Sequence, residues 1–200
     1  MKIICVDFQK DYTSEVGLCY HPRPCINFIK KILVPFLNYS GIKIAEIISD
    51  YRHPRPGEPF ERCIPGEEGY ESEIPASVKR LPVWIKCMNS PLWVRDNAGE
   101  QEKQPGFPYQ APEVFTKWLE DSVGAPYAVD ELILIGLTLD CCILCVAQEL
   151  CFRGYAVRYL VEAVDCYTGD AQEKQNLLKS PLANWGKAIG WEELQDRIKD

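Results

Sequence analysis

The chain has 200 residues, which at a typical domain size predicts one domain over 1–200 and excludes two full ones. The residues AVILMFWYC make up 46% and the charged residues 26%, a balance that supports a buried core and excludes a disordered segment. Twenty-two Lys and Arg against twenty-nine Asp and Glu give a net charge of −7, with no block of about five or six like charges, so neither nucleic acid nor an anionic membrane is an expected partner.

Runs rich in Ile, Val and Leu predict strands at Lys2 to Val6, Ile42 to Ile48, Val83 to Ile85, Glu131 to Leu137 and Ala156 to Val161. Most are continuous rather than alternating, which suits strands covered on both faces. Helices are predicted from about Cys25 to Leu37, Pro112 to Asp121, Cys141 to Arg153 with Gly154 ending it, Ala171 to Leu178 and Glu192 to Ile198. Strands separated by helices imply a parallel sheet with right-handed crossovers. Two stretches thick with Pro, Gly and charge, Tyr51 to Pro75 and Pro91 to Pro112, read as long loops or insertions. The first follows a strand directly and is placed at the rim of the site, because ligands of open α/β sheets bind beyond the carboxyl ends of the strands. Neither G-x-G-x-x-G nor G-x-x-x-x-G-K-[ST] occurs, so nucleotide chemistry has no support.

Ten cysteines in 200 residues fall below the roughly 8–10% of a disulfide scaffold, and the thiols are read as reduced. Lys2 and Asp7 interrupt the first apolar residues, leaving no secretory h-region, and a cytoplasmic location is expected. The most apolar stretch, Leu132 to Ala147, is shorter than the roughly 18–20 residues of a membrane span and contains Asp140.

The junction Leu132-Ile-Leu-Ile-Gly-Leu-Thr-Leu-Asp-Cys-Cys-Ile-Leu-Cys145 runs from a buried strand through Gly136 into a helix whose first turn holds Cys142. Unpaired amides and the positive helix end favour a thiolate there and predict a Cys142 pKa below that of a free thiol. The competing reading makes Cys141, Cys142, Cys145 and Cys151 small core residues. A nucleophilic thiol needs a base and an orienting group, and Asp7 and Lys86, at the ends of the first and third strands, fall on the same sheet edge.

Val6-Asp-Phe-Gln-Lys-Asp-Tyr12, Lys86-x-x-x-Ser90 and Gly136-Leu-Thr-Leu-Asp-Cys-Cys-Ile143 resemble, in order and spacing, the signature segments of the isochorismatase-like cysteine hydrolases, which include the nicotinamidases. The resemblance covers essentially the whole chain. It implies a three-layer α-β-α fold with a six-stranded parallel sheet of order 3-2-1-4-5-6, the last strand near Lys187 to Ile189, and a homo-oligomer. Asp7, Lys86 and Cys142 match the catalytic triad, a cis peptide is expected between Leu137 and Thr138, and the backbone N–H groups of Thr138 and Cys142 would form an oxyanion hole. The implied activity is hydrolysis of a C–N bond in a small amide-like substrate through a thioester. Isochorismatase-type ether cleavage and a catalytically degenerate binding protein are the alternatives within the fold.

The nicotinamidase branch binds a divalent metal through Asp-x-His and a later His. Here Asp50-Tyr51-Arg52-His53 and Arg62-Cys63-Ile64 put arginine at both histidine positions, so no metal cofactor is expected and only Asp50 and His53 are residual ligand candidates. Arg52, Arg55 and Arg62 are candidates to hold a substrate carboxylate, with solvated rim arginines as the competing reading. Gln9, Tyr12 and Trp93 are further pocket candidates. Cys142-Ile-Leu-Cys145 also matches a thiol-disulfide pair opening a helix, the alternative from another functional class. A papain-like pair would have to use His21 or His53, neither in a recognisable context.

Overall fold

The computed structural model describes residues 1–53, 60–180 and 184–199. In chain order the elements are β1 (Lys2–Val6), α1 (Lys10–Thr13), α2 (Pro24–Phe28), a π-helical turn (Ile29–Leu33), α3 (Val34–Tyr39), β2 (Ile44–Ser49), a 3₁₀ turn (Glu68–Tyr70) and β3 (Lys79–Lys86). There follow β4 (Trp93–Val94), β5 (Tyr109–Gln110), α4 (Pro112–Val123), β6 (Leu132–Leu137), α5 (Cys142–Phe152), β7 (Val157–Asp165), α6 (Ala171–Lys179), β8 (Lys187–Ile189) and α7 (Trp191–Lys199).

Six strands form one parallel sheet in the order β3-β2-β1-β6-β7-β8, which is 3-2-1-4-5-6 when its strands alone are numbered. The two-residue side-chain alternation divides the core between its faces. Ile4, Val6, Leu132 and Leu134 pack with Phe115 and Trp118 of α4 and Ile143 and Val146 of α5. Ile3, Cys5, Ile133 and Ile135 pack on the other face with Cys25, Ile29, Leu33 and Leu37 of the first long helical run and Leu194 of α7. Both faces are apolar, which explains why β1 and β6 read as uninterrupted hydrophobic runs. The order reverses between β1 and β6, and the crevice at that switch point lies beyond their carboxyl ends.

Local chemistry accounts for the departures from the predicted elements. The helix predicted over Cys25 to Leu37 is continuous but passes through a π turn immediately before Pro35, whose missing N–H interrupts the i to i−4 ladder. β3 begins four residues before the predicted Val83, because it is an edge strand whose Lys79, Arg80 and Pro82 hide its pattern. β7 runs to Asp165 rather than Val161, past a register shift beside Leu134 and Gly136. The second insertion contains the β4/β5 antiparallel ribbon, too short to leave a periodic signal. Among the described residues no helix is long and apolar enough to cross a membrane.

Gly136 of β6 is paired with Val6 at the end of β1. Its φ is +105°, and a Cβ built there would stand 2.1 Å from the Val6 carbonyl oxygen. Gly136→Ala therefore forces the two central strands apart and should cost about 3 kcal/mol or more of unfolding free energy in urea titration. A loss below about 0.5 kcal/mol, the range of a neutral surface change, would contradict this packing.

Candidate active site

Three neighbouring strands deliver three polar side chains to one point. Asp7 follows β1 in a left-handed backbone conformation, φ 49°, with its N–H donating to the Ile47 carbonyl at 2.8 Å. Ser49 and Lys86 are the last residues of β2 and β3 and are paired in register. The Lys86 ammonium is fully buried and lies 2.8 Å from Asp7 Oδ2, 2.8 Å from Ser49 Oγ and 2.9 Å from the Tyr51 hydroxyl. Ser49 Oγ in turn donates to Asp7 Oδ1 at 2.8 Å. Burial opposes the charge on Lys86, but the Asp7 carboxylate and Cys142 outweigh it and hold the amine above its ordinary pKa.

Cys142 opens α5, and its Sγ is 3.4 Å from Lys86 Nζ, 3.7 Å from the Tyr51 hydroxyl and 3.8 Å from Asn89 Oδ1. The expected fall in its pKa is not what the full environment produces. The adjoining Cys141 thiol and then burial raise Cys142, while Cys141 is itself lowered by its contact with Cys142. Lys86 pulls the Cys142 thiol down, but by less than these two raise it. A helix end favours the thiolate, but the neighbouring thiol and desolvation oppose it.

Asp7 and Cys142 open on a cavity of about 430 Å³ whose walls include Tyr12, Tyr51, Phe60, Arg62, Asn89 and Tyr167. Thr138 also lines it. The Leu137–Thr138 peptide is cis. The amides of Cys141 and Ile143 both donate to the Thr138 carbonyl, whereas the Cys142 amide, at the first helical position, has no carbonyl one turn earlier inside the helix.

The pocket candidates divide. Tyr12 and Arg62 are in the wall, with Arg62 Nε donating to the Tyr12 hydroxyl at 3.0 Å and its guanidinium 4.5 Å from the Tyr51 ring centroid. Gln9 is not in the wall. It is fully buried and clamps the end of β2, accepting from Ser49 N–H at 2.8 Å and donating to Ser49 O at 2.9 Å and Tyr70 O at 3.0 Å. Trp93 is not there either, because β4 is turned into a ribbon with β5 and its carbonyl accepts from Cys87 N–H. Arg55 lies outside the described residues. His21 packs edge-on against Tyr167 and His53 is paired with Glu61, and neither lines the cavity. Ser49, Tyr51 and Asn89 were missed. Only the position of Tyr51 directly after Asp50 at a strand end was available to signal it.

Arg52 faces away from the cavity and corrects two expectations at once. Its guanidinium makes a two-pronged contact with the buried Asp50 carboxylate, Nε to Oδ1 at 3.0 Å and Nη2 to Oδ2 at 2.7 Å. It also donates to the carbonyls of Asn97, Glu100 and Lys103, tying the second insertion to the end of β2. Arg52 is therefore a clamp and not a substrate ligand. Asp50 is neutralised by it and also accepts from Gly99 N–H at 2.9 Å, while the His53 side chain is 62% exposed beside Glu61. Asp50 and His53 do not fit a cation: the first already carries a fixed positive partner and the second points elsewhere.

No family model and no curated protein match the sequence. Solved structures do. A pyrazinamidase of Pyrococcus horikoshii in complex with zinc is 15% identical, with a TM-score of 0.65 over 95% of this chain and 98% of its own. An isochorismatase family protein from Desulfovibrio vulgaris is 17% identical, with a TM-score of 0.63 over 100% and 98%. N-carbamoylsarcosine amidase from Thermoplasma acidophilum is 16% identical, with a TM-score of 0.56 over 95% and 96%. Sheet order, helical layers and switch-point cavity define a three-layer parallel α/β fold. More narrowly, it is the isochorismatase-like hydrolase fold.

The clamp has a measurable consequence. Arg52→Ala leaves the Asp50 carboxylate buried without its cation and should lower unfolding free energy by about 3–5 kcal/mol, the cost of breaking a buried pair from one side. Denaturant titration showing a loss under about 1 kcal/mol, the range of an exposed pair, would contradict the role assigned to Arg52.

Proposed function

We propose that the protein is a cysteine-dependent amidohydrolase that cleaves a C–N bond of a small molecule. The observation that carries this reading is the buried Lys86 ammonium, shared between the Asp7 carboxylate at 2.8 Å and the Cys142 sulfur at 3.4 Å, two residues that both line one cavity. Asp7 takes the Cys142 proton as the sulfur attacks the acyl carbon. The proton then goes from Asp7 to the departing nitrogen, leaving a thioester on Cys142. Water, deprotonated by Asp7, hydrolyses the thioester and restores the thiol. Lys86 stays charged throughout and stabilises whichever of the two partners is negative. The Thr138 and Cys142 amides receive the developing oxyanion.

A cavity of about 430 Å³ suits a small substrate rather than a polypeptide, and its tyrosines and phenylalanine favour a flat or apolar body. Arg62 in the wall is the residue proposed to meet a polar or anionic substituent. The names of the structural neighbours, a pyrazinamidase and an N-carbamoylsarcosine amidase, support C–N cleavage. Ether cleavage has no need of a thiol held against an ammonium. The thiol-disulfide alternative gives no role to Asp7 or Lys86, and Cys145 does not line the cavity. The chemistry is proposed to need no metal, since Arg52 holds Asp50, and to take place in the cytoplasm, in an oligomer.

The test is ammonia or amine release from a panel of nicotinamide, pyrazinamide, maleamate, ureidoacrylate and N-carbamoyl amino acids. Cys142→Ala and Asp7→Asn should each lower kcat/KM by at least about 10³-fold on the substrate that turns over. Retained activity in Cys142→Ala would overturn the mechanism. Exhaustive chelation should leave the rate unchanged, and a loss restored by one added divalent cation would overturn the metal-free reading.

A further inference from the structure

We infer that the Tyr51 hydroxyl is a further catalytic group, donating a hydrogen bond to the Cys142 sulfur and stabilising it as a thiolate. This deepens the cysteine mechanism and rests on Cys142 as its nucleophile. The argument is one of counting protons. An ammonium has three N–H donors and no acceptor. Lys86 has four partners within reach: Asp7 Oδ2 at 2.8 Å, Ser49 Oγ at 2.8 Å, Tyr51 Oη at 2.9 Å and Cys142 Sγ at 3.4 Å. Two protons go to Ser49 Oγ and Tyr51 Oη, and the third is divided between the Asp7 carboxylate and the more distant sulfur. Ser49 passes its own proton to Asp7 Oδ1 at 2.8 Å, so it has none to spare for the sulfur.

Tyr51 is differently placed. Its oxygen accepts from Lys86, which fixes the direction of its own O–H, and the acceptor on that side is Cys142 Sγ at 3.7 Å. The hydroxyl thus carries the positive influence of Lys86 one step further, to the sulfur that the ammonium serves less directly. Tyr51 remains a donor because burial, with the negative charge of Cys142 beside it, keeps the phenol well above its ordinary pKa. The ring is held for this task by the Arg62 guanidinium over its face, 4.5 Å from the centroid, and by the backbone bridge between Tyr51 and Arg62.

Other groups act on the same sulfur and set the sign of the controls. Asp7, beyond β1, and Cys141, before α5, both oppose ionisation of Cys142, while Lys86, on β3, favours it. Asn89, after β3, presents its side-chain oxygen at 3.8 Å as an acceptor for the Cys142 S–H, which holds the protonated form. Tyr51 and Asn89 therefore touch one sulfur with opposite effects.

The experiment is the pH dependence of Cys142 alkylation by iodoacetamide, followed by peptide mass mapping, which needs no substrate. Tyr51→Phe should slow alkylation at pH 7.5 about five- to tenfold and move the profile to higher pH, as loss of one hydrogen bond to a charged group requires. Asn89→Leu should move it the opposite way. On any substrate found for the enzyme, Tyr51→Phe should lower kcat with KM little changed. An alkylation profile unchanged or shifted downward in Tyr51→Phe overturns the inference. If that variant does not fold, 3-fluorotyrosine at position 51, a stronger donor of nearly the same shape, must speed alkylation, and an unchanged rate overturns it. Failure of the amidase reading is distinguishable, because the alkylation shift would stand while every amide remained intact.

Discussion

The buried contact between Lys86 and Asp7 is the constraint around which the carboxyl edge of the sheet is arranged. A lysine with no exposure is tolerated only with a countercharge and with its protons satisfied. The ends of β1 and β2 provide both, through Asp7, Ser49 and, two residues further on, Tyr51. Gln9 reaches both backbone groups of Ser49 and so fixes the end of β2 on which two of these contacts depend. The left-handed φ of Asp7 aims its carboxylate back over the sheet edge. Cys142 then arrives from β6 at the first turn of α5 and finds an ammonium already oriented.

A second charge pair of the same kind lies beside the first and serves a different end. Asp50 is as buried as Asp7, but its cation is Arg52, two residues away, and the guanidinium has donors left for the carbonyls of the 97–103 segment. Arg95 extends the clamp by donating to the carbonyls of Arg52 and His53. One carboxylate is thus kept at the cavity for chemistry, and the other is committed to holding an insertion in place. Asp50 follows β2 as Asp7 follows β1, so position in the fold does not decide between these roles. The partner does.

How much the sequence disclosed follows from this. The parallel sheet and the candidates Asp7, Lys86 and Cys142 were legible because strand hydrophobicity and strand-end position are local properties, whereas the strand order and the sixth strand came from the resemblance to the isochorismatase-like hydrolases. Tyr51, Ser49 and Asn89 are common residue types whose meaning comes from atoms on other strands, and only the place of Tyr51 after Asp50 at a strand end marks any of them locally. Gln9 and Trp93 were misassigned for the converse reason, since proximity in sequence to a site residue does not say which way a side chain turns. The Cys142 pKa was misjudged because a helix end is visible in sequence, whereas the influence of the neighbouring thiol and burial are properties of the packed site. The role of Arg52 was legible only as a missing histidine.

The most direct measurement is rapid-quench mass spectrometry of the protein during turnover of an accepted amide. A cysteine mechanism predicts that the intact protein gains the mass of the acyl group within the first turnover, that peptide mapping places it on Cys142, and that the adduct decays at the rate of acid formation. Product formation with no acyl adduct on the chain, or an adduct confined to another cysteine, would contradict it.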